Sequence, residues 1–214
     1  VQDTNFDINE VAKIIEKDTA LAISLLNIVN SLKVDVTQEI KTLTQATALI
    51  GQKELRKWTL TAVCSSLMSD SPNEINKLSL VRARFSENLS KHFDLEKESE
   101  SIFLMGLFSV LDVVLDVNID EALSVLKVSK HIKDALINNS GPFYNIYKFV
   151  KDYESANWQE VCVSLILNKI SASDVYDSYI ESLKWYNKLL IAAKDSNKEN
   201  SLDDNNINEN ISIN

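Results

Sequence analysis

Residues 102–115 read IFLMGLFSVLDVVL, and eleven of these fourteen positions are apolar. The exceptions, Gly106, Ser109 and Asp112, recur at every third place. At helical pitch that spacing gathers them into one narrow stripe and leaves bulky apolar groups in every other direction. A helix of this kind has to be enclosed by neighbours. It lies between the polar segments EKESES and DVNIDE, and it is shorter than the roughly 20 residues that span a bilayer. The stretch therefore predicts the core helix of a helical domain with no membrane partner.

Three Gly and two Pro in 214 residues supply too little punctuation for a sandwich or barrel, so the expected class is all-α. About eleven helices can be placed. Asp7 with Glu10 has the form of a capping box, Thr19 opens a second helix, and a third stops at Gly51, a residue suited to a left-handed C-cap. QKELRKWTLTAVCSSLM then turns Leu55, Trp58, Ala62, Cys64 and Leu67 inward. SPNE at 71–74 starts a long helix to about His92. Shorter helices follow at 119–127, announced by Asn118 with Glu121, and at 130–138, announced by Ser129. Residues 138–142 (NNSGP) make a break. FYNIYKFVKDYE, a helix opened by Asn157 with Glu160, and one opened by Ser171 with Asp174 complete the series.

The expected organisation is one helical domain over 1–194 and a disordered, acidic, Asn-rich tail over 195–214, which has no aromatic residue to offset its ordering entropy. The tail holds five acids and one Lys out of a net charge of −9, and no basic footprint for nucleic acid is present. Cys64 and Cys162 both lie in apolar helical rows, which predicts buried thiols in a reducing cytoplasm. The chain starts at Val1 without a signal peptide and reads as part of something longer.

Residue chemistry alone suggests no reaction. Only His92 and His131 could serve as imidazole ligands or bases, and both read as surface groups near helix ends. The acid pairs Glu98–Glu100 and Asp203–Asp204 sit in solvated stretches, without the apolar pocket that raises a carboxyl pKa for acid–base work. No G-x-S-x-G occurs, and three glycines exclude a phosphate-cradling loop. Trp58, Trp158 and Trp185 each stand in an apolar row and read as core. Arg82, Arg84 and Lys133 with Asp134 fit either surface contacts or internal ion pairs.

Several segments together resemble the HDOD domain, a helical signalling-output family related to HD-type metal phosphohydrolases. FDINEVAKIIEKDTALAISLLNIVNS, ending in Asn30 and Ser31, resembles the family's opening. ALIGQKELRKW, with Gly51 and Trp58, resembles its next signature. RARFSENLS with Arg82 and Arg84, GLFSVLD with Gly106 and Asp112, SKHIKDAL with Asp134, and KDYESANW with Tyr153, Glu154 and Trp158 are similar to the variant that follows EAL-type cyclic-di-GMP phosphodiesterase-like domains. The likeness extends over residues 5–190.

In catalytic HD relatives the central helix carries an adjacent His-Asp pair that holds a metal. The resemblance places Ser109 and Val110 at those positions, a weak neutral ligand and a hydrocarbon. The upstream histidine falls near Leu78 or Ser79, and Asn138 and Asn139 lie where downstream histidines would be. Asp112, two positions on and about 200° around the helix, cannot substitute. The resemblance thus implies a degenerate metal site, with no catalytic residue, cofactor or metal ligand. It implies a regulatory, protein-interaction output domain that is no enzyme, acting in cyclic-di-GMP signalling with an upstream EAL-like domain, a protein partner and self-association. The runner-up is a divergent HD-type phosphohydrolase; a third reading is a small-molecule pocket beside Ser109.

Overall fold

Among the described residues from Asn73 onward, helices and short 3₁₀ turns make up most of the backbone, as the scarcity of glycine and proline predicts. The structure is a computed structural model that describes residues 26, 42, 45, 51, 54, 55, 57–62, 73–125 and 128–211. Among them there is no strand, and the eight α-helices from Asn73 onward are α1 (Asn73–Leu89), α2 (Ser99–Phe108), α3 (Leu111–Leu115), α4 (Ile119–Val125), α5 (Lys130–Leu136), α6 (Tyr144–Glu154), α7 (Trp158–Asn168) and α8 (Ala172–Ile211). The 3₁₀ turns Ser90–Phe93 and Glu96–Glu98 join α1 to α2.

Two compact units make up the chain: residues 1–4 with 63–186, and residues 5–62 with 187–214. In the second unit Leu55, Trp58 and Ala62 are buried as their spacing predicts, while Cys64 and Leu67 fall outside the described residues. Lys57, also buried, places its ammonium 2.9 Å from a Glu54 carboxylate oxygen and 5.2 Å from the centre of the Trp58 ring. Gly51 has φ +79°, the left-handed conformation expected of a helix-ending glycine.

In the first unit α1 and α2 pack along their lengths, and α6 crosses α1. The reason for the close approach is Gly106. A Cβ there would lie 2.6 Å from the Ala83 Cα and 3.0 Å from the Arg82 carbonyl oxygen, so only a glycine lets the two backbones meet. Ile102 to Phe108 are all buried, which bears out the enclosed helix. Ala83, Phe85 and Leu89 of α1, Ile132 and Ala135 of α5, and Ile146, Phe149 and Val150 of α6 are buried as well.

The central helix is shorter than its sequence predicts. It ends at Phe108, Val110 takes φ −123° and ψ 7°, and a new helix begins at Leu111. A buried helix end leaves its last carbonyls without intrahelical partners, and two hydroxyls serve them here. Ser109 Oγ donates to the Gly106 carbonyl at 2.7 Å, and Ser79 Oγ, from α1, donates to the Leu107 carbonyl at 2.8 Å. Beyond the break Leu111 is still buried, but Val113 and Leu115 are exposed. The stripe joining Gly106, Ser109 and Asp112 is thus interrupted, and the expected 200° offset of Asp112 does not describe it.

Other boundaries follow the sequence closely. Ser129 Oγ accepts from the Ile132 N–H at 3.5 Å, and Ser171 Oγ accepts from the Asp174 N–H at 3.0 Å while donating to the Asp174 carboxylate at 2.7 Å. Gly141, with φ +83°, turns the chain at the expected break. The Asn157 cap differs: its side chain makes no capping bond and donates to Asp152 at 3.1 Å instead. The caps expected at Asp7, Thr19 and Ser71 lie outside the described residues. Helix α8 continues as far as Ile211. No glycine or proline interrupts 172–211, and extending a formed helix avoids the cost of nucleating one.

Candidate functional site

The candidate site forms where α1, the end of α2 and the end of α6 meet, and Arg82 is its centre. Arg82 lies within the row Leu80, Val81, Ala83 and Phe85, all buried, so its guanidinium must find partners inside the fold. Its Nε donates to both Glu154 carboxylate oxygens, at 2.9 and 3.0 Å. Nη2 donates to Glu154 Oε2 at 2.6 Å. Nη1 donates to Ser109 Oγ at 2.7 Å. The Arg82 side chain is 4% exposed and that of Glu154 19%, so this is a charge pair largely withdrawn from water, with the fork-like geometry that makes arginine–carboxylate pairs strong.

Ser109 is the hinge of the arrangement. Its oxygen accepts from Arg82 while its proton goes to the Gly106 carbonyl, so one hydroxyl couples the guanidinium to the C-terminus of α2. A cation there also meets the negative end of the helix dipole. Tyr147, on α6, stands in the same field: burial pushes its phenol above its ordinary value, the Arg82 charge pulls it back, and Glu154 and Asp112 push it further up.

A metal does not fit this place. Ser109 and Val110 are the positions that the resemblance assigns to the lost metal-binding pair. One has its proton committed to Gly106 and accepts from the cationic Arg82, and the other is a buried hydrocarbon. Arginine brings five donors and no acceptor, so it ligates nothing. Among the described residues no three His, Cys, Asp or Glu side chains are grouped to share an ion. Beside Ser109, where a small-molecule pocket was considered above, the Arg82 guanidinium lies 2.7 Å from the hydroxyl.

The remaining motif residues separate. Arg84 donates to Glu87 at 2.6 Å and lies 5.9 Å from the centre of the Trp185 ring. Asp134 pairs with Lys130 rather than Lys133, and that hydrogen bond holds its carboxyl below the usual range. Tyr153 is an aromatic hub, with ring centres at 5.2 Å from Phe85, 5.4 Å from Tyr179 and 5.6 Å from Trp158. Asn30 and Ser31 lie outside the described residues.

His131 is exposed as expected, whereas His92 is half-buried. Two core assignments are corrected. Trp185 is buried, but Trp158 is 55% exposed, its ring roughly perpendicular to that of Tyr153, and Cys162 is exposed. Both lie on α7, whose one deeply buried side chain is Val161. An apolar row identifies the helix but cannot say which of its faces is covered.

Sequence reasoning missed the Arg82–Glu154 pair, whose members are 72 positions apart. It also missed the bridge of Lys148 to Asp152 at 2.7 Å and to Glu160 at 2.8 Å, which joins α6 to α7 and holds the Lys148 pKa well above its ordinary value. An arginine flanked on both sides by core residues was the available signal for the first; the second had none.

The family described as HDOD domain matches residues 1–132. Among curated proteins, the "Cyclic di-GMP phosphodiesterase CdgJ" of Vibrio cholerae is 32% identical over 179 residues, covering 84% of this chain and 41% of its own length. The "Uncharacterized protein YuxH" of Bacillus subtilis is 30% identical over 189 residues, covering 87% of this chain and 46% of its own length. The chain therefore spans less than half the length of these relatives. No solved structure matches. The expectation that the chain is no enzyme is overturned by the first relative, which is named as a phosphodiesterase. No helix among the described residues is long and apolar enough to cross a membrane.

Proposed function

From its membership of the HDOD domain family, to which this chain belongs, we propose that it is the regulatory and protein-docking part of a cyclic-di-GMP phosphodiesterase. Its link to cyclic-di-GMP signalling rests on the Vibrio relative. That relative and its Bacillus counterpart are each more than twice the length this chain spans, which leaves room for a further domain, and we take that domain to be EAL-like and to precede this one. The setting is the bacterial cytoplasm.

The observation that supports the regulatory reading is the closed centre: beside Ser109, the position that the resemblance matches to the metal-binding pair of HD-type enzymes, a guanidinium ties three helices together. Such a clasp makes the unit a rigid body that can pass a change at its surface to whatever is joined to it. The test is cyclic-di-GMP hydrolysis by the longer protein, comparing wild type with Arg82→Met combined with Glu154→Leu, a swap chosen to replace the pair by apolar groups of similar volume. A several-fold change in rate, with the helical spectrum unaltered, is expected. An unchanged rate would break the link between clasp and turnover, and hydrolysis that depends on an ion bound beside Ser109 would support the HD-type phosphohydrolase instead.

A further inference from the structure

One helix of the first unit wears its apolar face outward. On α7, Trp158, Cys162 and Ile166 follow one another at steps of four and form a continuous ridge, with Val163 and Leu167 beside it. Ile166 is 77% exposed, Leu167 75%, Trp158 55% and Val163 48%. Gln159 is the one polar side chain among them, and residues 161–168 (VCVSLILN) contain no charge. A single exposed leucine is unremarkable, but a whole helical ridge is not, and patches of this kind mark binding surfaces.

We propose that this face is the interface between two copies of the chain, with α7 packed antiparallel against α7 of the second copy about a twofold axis near Cys162. Three observations favour a second copy over a different partner. The ridge is self-complementary: its small residue, Cys162, is central and lets the helices cross closely, while Trp158 at one end meets Ile166 and Leu167 at the other, the reciprocal pairing a twofold contact requires. Its area suits: the four large side chains expose on the order of 500 Å², the greater part of the roughly 800 Å² that each partner of a standard interface contributes. Its charge suits: a chain of net charge −9 can meet its own copy only across a surface that brings no carboxylates together, and this surface brings none.

The test is the mass of the full chain in solution, by light scattering, as it is concentrated. The wild type is expected to move from 24.1 kDa to twice that value. Ile166→Glu with Leu167→Glu is expected to stay at the lower mass, with an unchanged helical spectrum because both side chains stand in water. A second measurement leaves the large side chains of the ridge in place: in a Cys64→Ser background, a short bis-maleimide is expected to join two chains through Cys162, and Cys162→Ser to abolish the product. A mass of one chain throughout, or a dimer that survives the double substitution, overturns the proposal. So does a monomer whose Cys162 becomes protected only when the rest of a longer protein is supplied, which would assign the ridge to that segment.

Discussion

Arg82 shows how one side chain can decide what a helical scaffold does. Its guanidinium is surrounded by core residues and balanced by a carboxylate from 72 positions away. Removing one member of such a pair strands the other. Arg82→Ala is therefore expected to cost about 3 kcal/mol, near the low end for buried pairs because Glu154 keeps 19% of its side chain in water. The double change Arg82→Met with Glu154→Leu is expected to cost less than Arg82→Ala alone. Urea unfolding of the two variants and the wild type checks both, and a single variant within a few tenths of the wild type would leave the clasp without structural weight.

Tyr147, beside the same pair, supplies a pH signature. Its folded phenol sits above the ordinary value of 10.0, so the folded state keeps this proton longer than the unfolded chain does. The contribution to stability is whole below pH 10.0 and is lost as pH rises through the folded value. Tyr147→Phe is expected to flatten the fall in stability measured between pH 9 and 11. The flattening is partial, because Tyr153 and Tyr186 are raised by burial as well. An undiminished slope would remove Tyr147 from the account.

At the scale of elements, the two helices that meet at Gly106 carry the fold. Gly106→Ala would drive a Cβ to 2.6 Å from backbone, which cannot yield as a flexible side chain would. The expected loss is about 1–3 kcal/mol, read by thermal or urea unfolding, and a neutral substitution would show that α1 and α2 can part without cost. The burial of α2 was legible in IFLMGLF because every direction around that helix is apolar. The break at Ser109 was not: the serine ends the helix by serving the Gly106 carbonyl while Arg82 holds it from 27 positions back, and local periodicity carries no record of that arginine. The outward face of α7 escaped for a related reason, since WQEVCVSLILN is apolar on almost every side.

At the scale of the whole molecule, the all-α class followed from three glycines and two prolines, and the family from motifs spread along the chain. The clasp at the centre was half legible. Ser109 and Val110 announced what the resemblance says is missing, whereas Glu154 and Arg82 appeared among the motif residues without any hint that they face each other. Long-range pairing of polar groups depends on how helices cross, which no window of sequence contains. If the resemblance aligns Ser109 and Val110 correctly, the Arg82 guanidinium closes the place where HD-type relatives hold a metal. The metal content of the purified chain after incubation with Mn, Fe and Zn, taken together with its melting temperature in EDTA, tests this. Well under one ion per chain and a melting temperature that EDTA does not move are expected. One ion held per chain, with a melting temperature that falls as EDTA strips it, would contradict it.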